Sequence, residues 1–308
     1  MYDVIIIGLG PAGMTAGIYA VRREMKTLII GRELGGQLVW ASEIENYPGF
    51  ENIQSFDLIN KIKEQTVKAG AEMKEDEIKK IEKREDGTFL LYGVRDTFEA
   101  KTVIIAMGLA PRRLAAPGEI EFNGRGVSYC ANCDGPFYKN KTVAVVGGGN
   151  SALDAAEVMS KIASQVYLIH RNDSFKAFDS LVDEVKNREN IEIVLSSDIK
   201  SIEGEKKVER IKISNAKTGE EREITLDGVF IEVGRIASTD LVSEFVERNE
   251  KNQIIVNLNM ETKTPGLFAA GDVTNVEFKQ ITIAMGQATI AALNAYQYLQ
   301  TKDTQKNA

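Results

Sequence analysis

The stretch VIIIGLGPAG at residues 4–13 decides how the N-terminal part of the chain folds. Four consecutive β-branched residues predict a strand that is buried on both faces, as in parallel sheets. The pattern G-x-G-x-x-G follows, and then a helical segment and a second strand that ends at Ile30. In such a unit Gly8 permits the tight turn, Gly10 lets the backbone approach a pyrophosphate, and Gly13 lets helix and strand pack closely. The stretch therefore predicts a βαβ unit that binds a dinucleotide at the N-terminus of its helix.

A second copy of this pattern, GGGNSA, occupies residues 147–152. It also lies between an apolar strand, residues 142–146, and a helical segment, and the next strand ends at Ile169. Two such units in one chain predict an α/β protein with two dinucleotide-binding domains. Pro111 and the pair at 117–118 interrupt the chain between them, and we expect a domain boundary there.

The residues that follow each second strand differ between the two copies. Glu33 follows the first, where an acid can bind a ribose, and a solvated loop glutamate is the alternative interpretation. His170 and Arg171 follow the second, with Lys176 soon after. A basic cluster suits the 2′-phosphate of NADP better than NAD, although these side chains could also belong to a solvated loop.

Cys130 and Cys133 are the two cysteines of the chain, and Asp134 follows them directly. In a C-x-x-C motif one thiolate can attack a disulfide and the other can resolve the mixed disulfide, so we predict a redox pair. Asp134 can supply or accept the proton that this chemistry requires. A zinc site would need further ligands and the single histidine lies far along the chain, so no metal is expected. A structural disulfide or two inert thiols remain the alternatives.

The bulk composition limits the other classes of function. The chain has 308 residues and a net charge of −7, and it carries no basic stripe, so we expect no nucleic-acid partner. No apolar run reaches the roughly 20 residues of a membrane span. The N-terminus lacks the pattern of a signal peptide, and two cysteines in a redox motif fit a reducing cytoplasm.

Towards the C-terminus, Asp272 follows an apolar strand and can accept a hydrogen bond from a ribityl hydroxyl. The polar tail, residues 301–308, is expected to be frayed.

Seven motifs together resemble those of one family. They are GLGPAG, GGQL, ENYPG, GRGVSYCANCDG, VVGGGNSA, LIHR and FAAGDV, and they resemble the low-molecular-weight thioredoxin reductases of bacteria and archaea, which are FAD- and NAD(P)-dependent disulfide oxidoreductases. The resemblance implies two Rossmann-like domains, each a three-layer ββα arrangement, with one inserted in the other. The FAD-binding domain would comprise residues 1–111 and 240–308, and the NADPH-binding domain, residues 112–239, would carry the cysteine pair. It also implies a cytoplasmic homodimer that reduces thioredoxin or a thioredoxin- or glutaredoxin-like protein.

The resemblance also assigns site residues. FAD would contact Gly8, Gly10, Pro11, Ala12, Gly13, Gly36, Gln37, Leu38, Asn46, Asp272, Lys279, Gln280 and Ile281. NADPH would contact Gly147, Gly149, Asn150, Ser151, Ala152, His170, Arg171 and Lys176. The implied reaction passes a hydride from NADPH to FAD, then reduces the Cys130–Cys133 disulfide with Asp134 as acid–base group, and ends with exchange onto a partner disulfide.

A departure from the family pattern at the 2′-phosphate leaves the electron donor open. The family often has H-R-R-x-x-x-R at the 2′-phosphate, whereas here Asn172 follows Arg171 and Lys176 stands in place of the later arginine. An ammonium lacks the planar, bidentate geometry of a guanidinium, so use of NADH is an alternative. Lys279 likewise stands where family members commonly have arginine. Relatives that use ferredoxin or reduced flavin lose the second glycine pattern, which this chain keeps; an oxidase and a non-catalytic binding protein are further alternatives.

Overall fold

The computed structural model describes residues 1–40 and 43–306, and the chain divides into two units. The first unit comprises Met1–Ala110 and Ile236–Ala308, and the second comprises Pro111–Arg235. The second is therefore inserted in the sequence of the first. Which cofactor each unit holds stays a prediction.

The described residues form the following elements. The strands are β1 Tyr2–Ile7, β2 Thr27–Gly31, β3 Glu43–Ile44, β4 Ile53–Gln54, β5 Glu72–Glu75, β6 Ile78–Lys83, β7 Phe89–Gly93, β8 Thr97–Ile105, β9 Ala110–Pro111, β10 Val127–Ser128, β11 Thr142–Val146, β12 Gln165–Ile169, β13 Ile191–Val194, β14 Ser197–Glu203, β15 Arg210–Asn215, β16 Glu221–Thr225, β17 Gly228–Ile231, β18 Arg235–Ile236 and β19 Leu267–Ala269. The α-helices are α1 Pro11–Val21, α2 Ser55–Ala69, α3 Ala131–Asp134, α4 Asn150–Ser160, α5 Asp179–Lys186 and α6 Ile281–Lys306. Short 3-10 helices occupy Gly36–Trp40, Gly135–Tyr138 and Asp240–Val242.

The first unit is built on a sheet in the order β5-β2-β1-β8-β7-β6, and β19 also pairs with β8. The strands β5, β2, β1, β8 and β19 run parallel, with Ile5 opposite Leu28 on β2 and Val103 on β8. Val4, Ile5 and Ile6 are fully buried, which confirms the prediction of a strand covered on both faces. On one face, alanines of α1 and α6 share a hydrophobic cluster, because small side chains let the two helices approach closely.

The second unit has a parallel sheet in the order β10-β17-β11-β12-β13. One face packs against the antiparallel sheet β14-β15-β16, with Ile211, Ile224 and Val229 in the shared cluster. The other face packs against α4 and α5, where Leu153 and Val185 are fully buried. The unit is therefore three layers deep, with a hydrophobic cluster on each side of the central sheet.

The helix α6 extends further than the sequence suggested. The expectation of a frayed tail is wrong for residues 301–306, which are helical, and residues 307–308 lie outside the described residues. The hydroxyl of Thr301 donates a hydrogen bond to the backbone oxygen of Gln297, and the hydroxyl of Thr304 donates to that of Gln300. The tail also contains lysine and glutamine, which are good helix formers, so its polar composition did not end the helix. Within residues 1–40 and 43–306, no helix combines the length and the apolar character that a membrane span needs.

Candidate functional site

A cavity of about 940 Å³ lies in the first unit, at the carboxyl ends of β1, β2, β8 and β19. Ligands of open parallel sheets bind at this edge. Every residue that the sequence assigned to FAD, apart from Gly13, lines the cavity: Gly8, Gly10, Pro11, Ala12, Glu33, Gly36, Gln37, Leu38, Asn46, Asp272, Lys279, Gln280 and Ile281. The structure thus brings together residues from both ends of the chain.

Glycines shape the wall of this cavity that faces α1. Gly8 has φ +131°, and a Cβ atom there would lie 2.1 Å from the backbone oxygen of Ala106. A Cβ atom on Gly36, which has φ +56°, would lie 3.3 Å from the Cα atom of Gly10, so two backbone segments approach closely. The N-terminus of α1 follows Gly10 and has no side-chain cap. Its N–H groups and the positive end of its dipole are therefore open to a phosphate.

Gly13 does not line the cavity but serves the packing beneath it. A Cβ atom on Gly13 would lie 1.8 Å from the backbone oxygen of Gly8. No side chain fits at that distance, so glycine is required for α1 to approach the turn after β1.

Polar side chains form the wall contributed by the C-terminal part of the chain. The Gln37 amide donates a hydrogen bond of 2.7 Å to the Asp272 carboxylate, and the Asn46 amide donates one of 3.3 Å to Gln280 Oε1. The Lys279 ammonium donates to the backbone oxygens of Thr274 and Val276, at 2.7 and 2.5 Å. Burial lowers the pKa of Lys279, and the charge of Asp272 opposes that shift.

The cavity also has charged residues that the sequence did not single out. Arg32 follows β2, Asp76 and Glu77 follow β5, and all three line the cavity. The Asp76 carboxylate accepts hydrogen bonds from the backbone N–H groups of Glu77 and Val94, at 2.7 and 3.1 Å. Asp76 therefore fixes the loop after β5. For Arg32 the signal available in the sequence was a charge directly after the apolar strand β2, whereas β5 itself carries charged residues and gave no such contrast for Asp76 and Glu77.

A second cavity, of about 430 Å³, lies in the second unit at the carboxyl ends of β11, β12 and β17. The lining residues that the sequence assigned to NADPH are Gly147, Gly149, Asn150, Ser151, His170, Arg171 and Lys176. Ala152 is instead fully buried behind the glycine loop, where a Cβ atom on Gly147 would lie 2.7 Å from the Cβ atom of Ala152. The N-terminus of α4 follows Gly149 and has no side-chain cap. Like that of α1, it is open to a phosphate.

The basic cluster of the second cavity is tied to its glycine loop. The backbone N–H of Lys176 donates a hydrogen bond of 2.7 Å to the oxygen of Gly148. The His170 ring is buried, stacks on Phe175 at 5.7 Å and packs against Gly148. Burial lowers the pKa of His170, and the charges of Arg171 and Lys176 add to that shift. The positive charge at this end of the cavity therefore comes from Arg171 and Lys176.

Three charged residues of the second cavity were missed in the sequence: Arg112, Arg113 and Glu232. Glu232 follows β17, and its backbone N–H donates a hydrogen bond of 2.8 Å to the oxygen of Val146. Burial raises the pKa of Glu232 to about 7; Arg235 opposes the shift and Asp154 adds to it. A carboxyl group that changes charge near neutral pH thus lies in a cavity suited to a nucleotide.

Cys130 and Cys133 form a disulfide in the second unit, with their sulfur atoms 2.11 Å apart. Cys130 precedes the short helix α3, and its Sγ accepts a hydrogen bond of 3.1 Å from the Cys133 N–H. The Cys130 N–H donates a hydrogen bond of 3.0 Å to Ser128 Oγ, which fixes the segment before the helix. Cys130 is 6% exposed, whereas Cys133 and Asp134 are half-buried. The disulfide therefore lies near the surface, with a carboxyl group on the next residue.

The family model for pyridine nucleotide-disulphide oxidoreductases matches residues 2–288. The chain belongs to this family. Thioredoxin reductase of Bacillus subtilis (strain 168) is 40% identical over 302 residues, which are 97% of this chain and 95% of that protein. The solved structure of Lactococcus lactis thioredoxin reductase (FR conformation) is 40% identical, with a TM-score of 0.89 over 98% of this chain and 100% of that one. The structure of T. acidophilum thioredoxin reductase is 37% identical, with a TM-score of 0.85 over 96% of this chain and 98% of that one.

This membership settles several predictions made from the sequence. The resemblance to thioredoxin reductases is confirmed, and so is the α/β fold with two Rossmann-like domains. As a member of this pyridine nucleotide-disulphide oxidoreductase family, the protein is a flavin-dependent enzyme of the thioredoxin reductase type, which uses FAD and a nicotinamide nucleotide.

Proposed function

We propose that the protein reduces the disulfide of thioredoxin, or of a thioredoxin- or glutaredoxin-like protein, with electrons from NADPH. The observation that carries this proposal is the disulfide between Cys130 and Cys133 in a chain with two glycine-lined cavities. A disulfide reductase needs a dithiol for exchange, a site for the electron donor and a site for a cofactor that relays the electron pair. The proposal also includes a cytoplasmic location and a homodimer.

The first cavity fits FAD. The close approach of Gly10 and Gly36 and the open N-terminus of α1 suit its diphosphate, and Asp272, oriented by Gln37, suits a hydroxyl of its ribityl chain. FAD bound there would accept a hydride from reduced nicotinamide and deliver the electron pair to a disulfide. The protein's part is to hold the flavin between the glycine turn and the Lys279–Ile281 segment.

The second cavity supports NADPH as the nucleotide. The open N-terminus of α4 suits the diphosphate, and the positive charges of Arg171 and Lys176 suit a 2′-phosphate. Asn150 helps to hold that end in place, because its side-chain oxygen accepts a hydrogen bond of 2.9 Å from the Phe178 N–H. A further phosphate on the ribose gives these two cations a charged partner that NADH lacks.

The cysteine pair performs the exchange. Two electrons and two protons convert the Cys130–Cys133 disulfide to a dithiol, and one of its thiolates attacks a sulfur of the partner disulfide. The mixed disulfide is resolved by the other cysteine, which restores the intramolecular bond and releases the partner as a dithiol. The N–H that Cys133 directs at Cys130 Sγ favours the thiolate form of that sulfur. Asp134 takes and returns the proton in these steps.

Anaerobic titration of the flavin-loaded protein with NADPH, and separately with NADH, tests the proposal. We expect NADPH to bleach the flavin absorbance and oxidised thioredoxin to restore it, and we expect a Cys133→Ser variant to be bleached but not reoxidised by thioredoxin. Bleaching by reduced ferredoxin but by neither nucleotide would contradict the proposal in favour of another donor. Hydrogen peroxide formed from a dithiol without nucleotide would identify an oxidase instead. Sedimentation of the loaded protein measures the oligomeric state.

A further inference from the structure

Different strands supply the two ends of the second cavity. The sheet order β10-β17-β11-β12-β13 places β17 and β12 on opposite sides of β11, the strand that leads into the glycine loop. The strand β12 leads into Arg171, whereas β17 leads into Glu232. Arg171 and Glu232 therefore lie on opposite sides of the glycine loop, and Arg112, whose N–H donates a hydrogen bond to the Gly234 oxygen, lies on the side of Glu232.

A dinucleotide that fills this cavity has one orientation that suits a βαβ unit, in which the residues after the second strand bind the adenosine ribose or its 2′-phosphate. With its diphosphate at the glycine loop, its two nucleoside halves extend to opposite sides. The phosphorylated ribose belongs to the adenosine half, which therefore extends towards Arg171 and Lys176. The nicotinamide riboside half then extends to the side of Glu232. That half carries a positive charge on its ring when oxidised and none when reduced.

Glu232 is placed to respond to that charge. Its side chain is 10% exposed, and the nearest guanidinium nitrogen of Arg235 lies 3.9 Å from its carboxylate, too far for a hydrogen bond. Asp154 on α4 repels it, and Arg112 and Arg113 line the same cavity. Because the carboxyl group is little hydrated, an approaching charge acts on it through a medium of lower dielectric constant than water.

We propose that the ionised carboxylate of Glu232 selects the oxidation state of the bound nucleotide, binding the cationic nicotinamide ring of NADP⁺ more tightly than the neutral ring of NADPH. The inference rests on the proposed function, since it requires NADP(H) to occupy the second cavity. Stabilising the oxidised ring favours donation of its hydride while the nucleotide is bound.

The selection depends on pH, since burial raises the pKa of Glu232 to about 7. Above that pH the carboxylate attracts the cationic ring, and below it the neutral acid does not. Other titratable or charged groups line the same cavity: Arg112 and Arg113 from the segment before β10, and His170, Arg171 and Lys176 after β12. The charges of Asp154 on α4 and of Arg235 also act on Glu232. These groups change the affinity for an oxidised and for a neutral-ring nucleotide alike, so their effects cancel when the two affinities are divided.

The test is the ratio of the Kd of NADP⁺ to that of 1,4,5,6-tetrahydro-NADP, whose ring is neutral and cannot donate a hydride. Both are measured by calorimetry on the oxidised, flavin-loaded protein between about pH 6 and about pH 8.5, on either side of the Glu232 pKa. We expect the ratio to fall about fivefold or more as the pH rises in the wild type, and to stay flat in Glu232→Gln.

Two variants and one fragment make the outcome decisive. Glu205→Gln removes an exposed carboxylate of the same unit and is expected to keep the wild-type profile. Adenosine 2′,5′-bisphosphate, which lacks the nicotinamide half, is expected to bind the wild type and Glu232→Gln equally, and this also shows that the variant cavity is intact. A ratio that still falls in Glu232→Gln, or that becomes flat in Asp154→Asn alone, would overturn the inference. If the fragment does not bind the wild type at all, the proposed nucleotide site itself is wrong.

Discussion

Because Glu232 is buried, its carboxyl group gains and loses a proton near neutral pH, whereas an exposed glutamate does so at lower pH. Its pKa is raised from 4.5 to about 7, chiefly by burial. Between those two pH values the folded protein binds a proton that the unfolded chain has released, so the folded state loses stability as the pH rises through this range. The direction is opposite to that of a carboxylate held in a salt bridge, which loses stability as the pH falls.

We therefore predict that Glu232→Gln is more stable than the wild type at pH 8 but not at pH 4. The difference at pH 8 should reach at most about 3 kcal/mol, the equivalent of this pKa shift. Urea unfolding of both proteins at the two pH values measures it. If the wild type gains stability over the variant as the pH rises, the ion pair with Arg235 outweighs burial.

We expect Asp134 to transfer protons to and from the thiols and to have no effect on nucleotide binding. Replacing it by asparagine keeps the shape of the side chain but removes the group that exchanges a proton with the thiols. Asp134→Asn should slow thioredoxin reduction by about 10²–10⁴-fold, the span of general acid–base catalysis, while NADPH still bleaches the flavin at the wild-type rate. Stopped-flow absorbance separates the two half-reactions. An unchanged rate of thioredoxin reduction would remove Asp134 from the mechanism.

At the scale of elements, the turn between β1 and α1 allows a test with a matched control. Gly8→Ala would place a Cβ atom 2.1 Å from the oxygen of Ala106 at a φ of +131°, so the turn must move. We expect this variant to lose bound flavin and stability. Gly286 lies inside α6, and a Cβ atom there would meet nothing within 4 Å. Gly286→Ala should therefore keep the flavin and gain about 0.5–1 kcal/mol. Flavin content and thermal unfolding measure both, and a Gly8→Ala protein with full flavin would contradict the role of this turn.

The same elements show what could be predicted from the sequence. The βαβ openings are local, since apolar runs and glycine spacing fix strand, turn and helix, and β1 was placed correctly to within two residues. The glycine loops were found for the same reason. Asp76, Arg112 and Glu232 were missed because each reaches its cavity through strand order, which brings together residues that are distant in the chain. The only local signal was a charged residue close to the end of a strand. The same pattern occurs where a strand leads into an exposed loop, so it does not identify a binding site.

At the scale of the whole molecule, the inserted unit has all that an independent domain requires. It has its own central sheet and a hydrophobic cluster on each face of that sheet. We predict that residues 111–235, produced alone, unfold in one cooperative transition and bind adenosine 2′,5′-bisphosphate. Circular dichroism and calorimetry measure these properties.

Residues 1–110 provide the matched control for that experiment. Without β19 and α6, this fragment lacks the strand that pairs with β8 and the helix that packs on α1. We expect it to show no cooperative transition. A well-folded 1–110 fragment would show that the first unit does not depend on the C-terminal part of the chain.

The interrupted order of the first unit also affects how the protein is made. As the chain leaves the ribosome, the strands β1, β2 and β8 appear early, but β19 and α6 follow only after the whole inserted unit. The apolar sheet face that α6 covers therefore stays uncovered while the inserted unit folds, and Asp272 and the Lys279–Ile281 wall of the flavin cavity are translated only after that unit. Nascent chains stalled before β19 should accordingly be colourless, and flavin should be taken up only once β19 and α6 have been translated.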